Sequence, residues 1–220
     1  MLTIYHLETS RSDRLVWLLE ELGLEYQLKT FERDPQTQRA PAEMRALHPL
    51  AKAPMLGDDG RILIESGAIF EYVLGRYGDS APGSPSSSGK SKNLAPKPSD
   101  PDWPEYLQWL HFAEGSAMLP MLLDHFEKAG LCGPVGSSPM AAMARSELDR
   151  LFSALDGILA KQEWMAGPRF TAADVMMGWY IEMIEYRGEI GGYAALQKYV
   201  EKIRARPAYQ RAKARRQKGS

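Results

Sequence analysis

Residues 2–7, LTIYHL, form a short β-branched and aromatic run bounded by a polar stretch, which predicts a strand. The polar segment Glu8 to Ser12 reads as a loop. Leu15, Val16, Leu18, Leu19 and Leu22 then recur at helical spacing, and Gly23 offers a C-cap, so a helix is expected over 13–22. Residues 26–31, YQLKTF, alternate like a second strand. This β-α-β order favours parallel pairing through a right-handed crossover. A polar, proline-bounded stretch leads to a short helix over 42–47. Met55-Leu56 and Ile62-Leu63-Ile64 flank Asp58-Asp59-Gly60, a strong hairpin signal. Helical spacing resumes at Ala68 and runs to Tyr77, with Ser66 as the expected N-cap. The order β-α-β-α-β-β-α predicts a four-stranded mixed sheet in an α/β domain, residues 1–78.

Residues 79–102 change character: rich in Pro, Gly, Ser and Lys, without apolar periodicity. They read as an interdomain linker with a flexible insertion at 84–92. The string SSSGKSK lacks the spacing of a phosphate-binding loop and the strand that should precede one. From Trp103 the strand signals stop, and residues 103–220 are expected as an all-helical domain. Pro104 suits a first helical position. A long helical stretch over 105–128 is expected to bend at Pro120. A second helix spans 139–162, with Met140, Met143, Leu148, Leu151, Phe152 and Leu155 as its apolar stripe. Thr171 and Asp174 form a capping box, with Phe170 and Val175 at the staple positions. The nearly unbroken apolar run 175–184 marks that helix as the buried centre. A further helix covers 192–204, Arg206-Pro207 breaks it, and a short basic helix ends the chain.

The chain has 220 residues, 44% hydrophobic and 25% charged, an ordinary soluble composition. A net charge of −1 supplies no electrostatic pull toward nucleic acid or an anionic membrane. The N-terminal stretch has neither the basic region nor the apolar core of a secretory signal, and no apolar run reaches membrane-spanning length. Cys132 is the only cysteine, so no intrachain disulfide is possible and a cytoplasmic location is expected. His6, His48, His111 and His125 show no metal-ligand spacing with one another or with Cys132. The basic residues Arg211, Lys213, Arg215, Arg216 and Lys218 read as a solvated helix end.

Candidate chemistry concentrates in residues 47–72. A proline leads into a strand, a hairpin follows, and Glu65-Ser66 opens a helix whose N-terminus suits a bound carboxylate. Taken singly, Pro54 reads as a turn proline and Ser66 as a cap. Ser10 and Asp13 also satisfy the capping-box pattern, so Ser10 alone reads equally well as a cap.

The motifs LHPLAKAPML (47–56), ESGAI (65–69), FTAADV (170–175), and the opening IYHLETSRSDR (4–14) with WLLEELGLEY (17–26) together resemble the cytosolic glutathione transferases of bacterial and fungal type, with a serine-type thiol loop. The resemblance covers nearly the whole chain. It implies a thioredoxin-like N-terminal domain, an all-α C-terminal domain and a homodimer. Pro54 would be a cis-proline that turns the backbone of Ala53 toward the cysteinyl part of glutathione. Glu65 and Ser66 match the pair that holds the γ-glutamyl end, and Lys52 and His48 match positions near the glycyl carboxylate. Ser10 falls at the position that favours thiolate over thiol, with Thr9, Ser12 or a backbone N–H as rivals. With no cysteine in this loop, a dithiol mechanism is excluded.

The implied function is transfer of small hydrophobic electrophiles to the glutathione sulfur, with glutathione as co-substrate, no cofactor and no metal. Trp109, Phe112, Met118 and Met121 are candidates to line an electrophile pocket between the domains, or to be plain core. A glutathione-dependent lyase, isomerase or peroxidase on the same scaffold is the alternative enzyme reading. A non-catalytic binding or assembly module is the alternative of another class.

Overall fold

The computed structural model describes residues 1–79, 94–131 and 133–218. Cys132 and the expected insertion at 84–92 lie outside the described residues. Two compact units are present: Met1–Pro96 together with Arg204–Ser220, and Lys97–Ile203.

In the first unit, β1 (Leu2–Leu7), α1 (Ser12–Leu22), β2 (Tyr26–Phe31), α2 (Ala42–Leu47), β3 (Met55–Asp58), β4 (Arg61–Ile64) and α3 (Ser66–Tyr77) follow the expected order. The sheet runs β2-β1-β3-β4. The strand β1 pairs in parallel with β2 and antiparallel with β3, and β3 pairs antiparallel with β4. The central strand β1 buries Leu2, Ile4 and Leu7, and Leu15, Val16, Leu18, Leu19 and Leu22 of α1 are also buried. Asp59 and Gly60 take φ of 48° and 77°, the two positive values that a type I′ hairpin turn needs. The buried Asp58 carboxylate accepts hydrogen bonds from the Tyr72 and Tyr77 hydroxyls at 2.8 and 2.5 Å, tying the hairpin to α3.

Two helix starts differ from the sequence expectation. The N-cap of α3 is Glu65, and Ser66 is its first helical residue. The N-cap of α1 is Arg11, without a side-chain cap, so the Ser10–Asp13 capping box is not formed. The Asp13 carboxylate is instead 2.7 Å from Nη1 of Arg216.

That ion pair belongs to a larger correction. The terminal helix (Pro207–Lys218, α9 in the order below) packs along α1. Ala208, Tyr209 and Ala212 are buried, and Tyr209 meets the Trp17 ring edge-on at 5.3 Å. Arg206 donates twice to Glu21, at 2.6 and 2.8 Å. Arg211 and Arg215 both reach the Glu20 carboxylate, at 2.8 and 2.9 Å. The basic C-terminus is therefore a clamp on α1 rather than a solvated end, and the terminal helix groups with the sheet. Because the Tyr209 ring is buried against Trp17, Tyr209→Ala should cost about 2 kcal/mol of stability, read as a lower urea midpoint.

The second unit holds α4 (Trp103–Gly115), α5 (Met118–Lys128), α6 (Pro139–Leu159), α7 (Ala172–Tyr186) and α8 (Ala194–Arg204). The expected 105–128 helix is two helices. The chain breaks at Ser116-Ala117, whose N–H groups both bond to the Phe112 carbonyl, and Pro120 lies in the first turn of α5, where no intrahelical donor is required. The buried face of α6 carries Ala141, Ala144, Leu148, Leu151, Phe152 and Leu155, whereas Met140 and Met143 are exposed. The stripe thus begins with alanines at 141 and 144 rather than with the two methionines.

The helix α7 is the centre, buried from Ala172 through Ile181 without a break, and its capping box is present. Asp156 accepts the N–H groups of Ala195 and Leu196 at 2.8 and 3.1 Å, which caps the first turn of α8. Among the described residues no helix is long and apolar enough to cross a membrane.

Candidate functional site

Strand register decides what the first unit brings together. Tyr5 of β1 lies opposite Met55, the first residue of β3, and Met55 lies opposite Ile64, the last of β4. The C-terminal ends of β1 and β4 therefore share one end of the sheet with the N-terminal end of β3. The segments emerging there are the Glu8–Ser10 loop, Ala53-Pro54 and Glu65-Ser66. Three stretches, the first 43 positions ahead of the second and the second 11 ahead of the third, are gathered at one sheet end by pairing alone.

The Ala53–Pro54 peptide bond is cis. Pro54 is buried and Ala53 half-buried, packed on the cluster of Leu7, Met44 and Met55. Lys52 is exposed on the preceding loop. His48 closes α2, and its Nδ1 accepts the Leu50 N–H at 3.3 Å, so one ring nitrogen is engaged locally.

Glu65 has φ 73° and ψ 119°, a conformation rarely adopted by a residue with a side chain. Strain of this kind persists where the surroundings enforce it, and it collects at ligand sites. Its side chain is exposed and does not cap α3, so the first-turn N–H groups are not satisfied by it. Ser66 is buried directly behind it.

The β1–α1 loop is bound at two points. Arg33 donates from Nε to the Glu8 carbonyl at 3.2 Å, from Nη2 to the Thr9 carbonyl at 3.0 Å, and from Nη1 to the Gln38 carbonyl at 2.8 Å. Thr9, exposed and at φ 49°, is thereby held in a left-handed conformation. Ser10 is buried, its Oγ 2.7 Å from Ser12 Oγ and 3.2 Å from the Ser12 N–H it accepts. Ser12 Oγ lies 2.7 Å from Nδ1 of the buried His6 and 3.2 Å from the Leu7 carbonyl. Burial pushes the His6 pKa down and Arg216 adds to that, while Asp13 and Glu8 oppose it.

Neither His6 nor Arg33 stands out as a site residue in the sequence. His6 is tested there only as a metal ligand, and Arg33 acts 24 positions from Thr9. Tyr5 packs on β1 against Gly57, where an added Cβ would meet the Tyr5 ring at 3.0 Å.

The candidates for an apolar pocket, Trp109, Met118 and Met121, are buried within the second unit, and Phe112 stacks edge-on against Trp109 at 5.2 Å. Among the described residues no group of three or more His, Cys, Asp or Glu side chains is placed to hold a metal ion.

Residues 1–75 match the family model for the glutathione S-transferase N-terminal domain, and residues 113–207 match the model for its C-terminal domain. Glutathione S-transferase 3 of Schizosaccharomyces pombe is 33% identical over 195 residues, 80% of this chain and 72% of its own. Glutathione S-transferase 1 of Saccharomyces cerevisiae is 27% identical, covering 97% of this chain and 94% of its own. A glutathione S-transferase of Actinobacillus pleuropneumoniae superposes with a TM-score of 0.81 at 30% identity, covering 98% of this chain and 92% of that one. With both family models and the S. pombe relative in agreement, this chain belongs to the glutathione S-transferase family.

Proposed function

We propose that the protein is a glutathione transferase that converts the thiol of glutathione to thiolate for attack on small apolar electrophiles. Glutathione is the co-substrate, no other cofactor takes part, and the enzyme works as a cytoplasmic homodimer. The observation that carries this reading is the convergence at one sheet end of the Ser10 loop, the cis Ala53–Pro54 bond and the strained Glu65 ahead of a helix N-terminus. Two relatives of the same fold, a sphingomonad enzyme and one from Phanerochaete chrysosporium, have been solved with glutathione and with oxidized glutathione respectively.

In this reading the tripeptide pairs strand-like with Ala53. Its γ-glutamyl carboxylate accepts N–H groups at the start of α3 and the Ser66 hydroxyl, and Glu65 faces its ammonium. Lys52, with His48 beside it, neutralises the glycyl carboxylate. The free thiol, with a pKa of ~8.5, is mostly protonated at neutral pH. A hydroxyl donor from Ser10 and the nearby N-terminus of α1 favour the anion. The thiol proton leaves to solvent. The sulfur then bonds to the electrophilic carbon, which either expels its leaving group or passes charge along a conjugated system. Ser12 is fully buried, which favours Ser10 over it as the group facing sulfur.

Calorimetric titration with glutathione tests the site. Ser66→Ala removes a hydroxyl but keeps the backbone N–H, so it should weaken binding about tenfold, and Glu65→Ala by a similar factor. Undiminished affinity in both variants removes the assignment. Product analysis over an electrophile panel separates conjugation from lyase, isomerase or peroxidase chemistry, and weak binding with no turnover across the panel points to a binding module.

A further inference from the structure

We propose that Met140 and Met143 form a modification site: a pair of thioethers that hydroperoxides oxidise to sulfoxides, turning an apolar groove polar while the fold stays intact. The modification does not depend on the glutathione reading above.

Residues three apart on a helix are surface neighbours, so positions 140 and 143 share one side of α6. Neither joins the buried stripe, which Ala141, Ala144, Leu148, Leu151, Phe152 and Leu155 fill. Met140 and Met143 are left 60% and 70% exposed. Both line a groove of about 450 Å³ between α5 and α6, together with Leu119, Pro120, Leu123 and Ala144. Glu147 and Arg150, also on its wall, pair with each other.

The other methionines are placed differently. Met44, Met55, Met165, Met176 and Met177 are fully buried, and Met118 and Met121 are nearly so. Met183 is half-buried, and Met1 is 75% exposed. A buried thioether meets an oxidant only after local opening, so it reacts more slowly than an exposed one. Position also decides the damage. Met44 and Met55 cluster with Leu7 and pack against Ala53, so a polar oxygen on either would disturb the sheet end that holds the site. An oxygen on Met140 or Met143 enters water instead.

The chemistry is a two-electron oxygen transfer. The thioether sulfur attacks the terminal oxygen of the hydroperoxide, the S–O bond forms as the O–O bond breaks, and the proton passes to the departing oxygen. Sulfur is oxidised to the sulfoxide, and the hydroperoxide is reduced to an alcohol, or to water where it is hydrogen peroxide. A sulfoxide is polar where the thioether was apolar. Two of them one turn apart put hydrogen-bond acceptors on the groove wall, while the buried stripe of α6 is untouched.

Treatment of the full chain with hydrogen peroxide at neutral pH, followed by digestion and peptide mass spectrometry, tests the pair. Met140 and Met143 should each gain one oxygen within about threefold of the rate of Met1, the exposed reference, and at least about tenfold faster than the five fully buried methionines. The chain carrying both oxygens should keep its helical circular dichroism and its urea midpoint, and should leave a phenyl column earlier than the untreated chain. Met140→Leu/Met143→Leu keeps the groove apolar at similar volume, so its retention should match that of the untreated wild type and should move far less on treatment. Oxidation of Met140 and Met143 no faster than that of the buried methionines overturns the site. Loss of the folded signal in step with the first two oxygens, or an equal retention shift in the double variant, overturns it as well.

Discussion

Asp174→Ala is expected to remove about 3–6 kcal/mol of stability and to leave the helical unit close to unfolding. Asp174 is fully buried at the start of α7, and its carboxylate is the meeting point of three segments. One oxygen accepts the Met165 N–H at 2.8 Å and the Tyr199 hydroxyl at 2.9 Å, and the other accepts the Thr171 N–H at 2.8 Å and the Thr171 hydroxyl at 3.2 Å. Alanine strands the Met165 and Thr171 N–H groups in a dry interior and leaves the Tyr199 hydroxyl only the longer bond to the Asp174 backbone carbonyl, at 3.4 Å. Each stranded donor costs about 1–3 kcal/mol, against a typical domain stability of about 5–15 kcal/mol.

Asp174→Asn keeps one acceptor oxygen but turns an NH2 group toward other donors, so it should recover only part of the loss. The comparison also carries a pH signature. Burial pushes the Asp174 carboxyl up from 3.8 to about 6, against the hydrogen bonds that hold it down. A raised folded pKa means stability that is fully present below 3.8 and is lost as pH rises through about 6. The wild-type advantage over Asp174→Asn should therefore shrink across that window. Urea unfolding at several pH values checks both points. A loss of less than about 1 kcal/mol in the alanine variant, or a pH-independent difference, would show that the carboxylate does not organise this junction.

The same residue illustrates what the sequence discloses. Thr171 and Asp174 stand three apart ahead of an apolar run, so the start of α7 and its burial follow from local spacing. The hairpin was equally legible, since Asp59-Gly60 is one of few pairs that tolerate two positive φ values. Met140 and Met143 were misplaced because helical spacing allows two adjacent stripes. Packing chose the one that starts with Ala141 and Ala144, and only the neighbouring helices decide that.

Arg211, Arg215 and Arg216 looked solvated because their partners, Glu20 and Asp13, lie about 190–200 positions away. In the site, the motifs around Pro54 and Glu65 were readable as strings. What was not readable is that Glu65 rather than Ser66 occupies the N-cap position of α3, since φ 73° at a glutamate runs against local preference. Nor does any local signal pair His6 with Ser12 across the turn between a strand end and a helix start. Such links depend on where the loop folds back, and Arg33 fixes that from another strand's end.

Ser10→Ala should raise the apparent pKa of the bound thiol by about one to two units, because a hydrogen bond to a charged group contributes about 1.5–3 kcal/mol and one unit is about 1.4 kcal/mol. The rate should fall by less than the thiolate population does. A more basic thiolate is a better nucleophile, with a Brønsted coefficient of about 0.4–0.5, so roughly half of the lost population is offset. Below both pKa values the expected fall in turnover at saturating glutathione is about three- to sixteenfold when bond formation limits the rate. The two effects separate on an alkaline titration. Above both pKa values wild type and variant carry the same thiolate, the variant's is the more reactive, and its rate should overtake the wild-type rate. A structural lesion at Ser10 lowers the rate at every pH and gives no crossing. Ser10 touches the inward Ser12 pair at 2.7 Å, so the alanine variant also needs a folding control by circular dichroism. Parallel pH–rate profiles with an unchanged thiolate titration would remove Ser10 from the mechanism and pass its role to a backbone N–H at the start of α1.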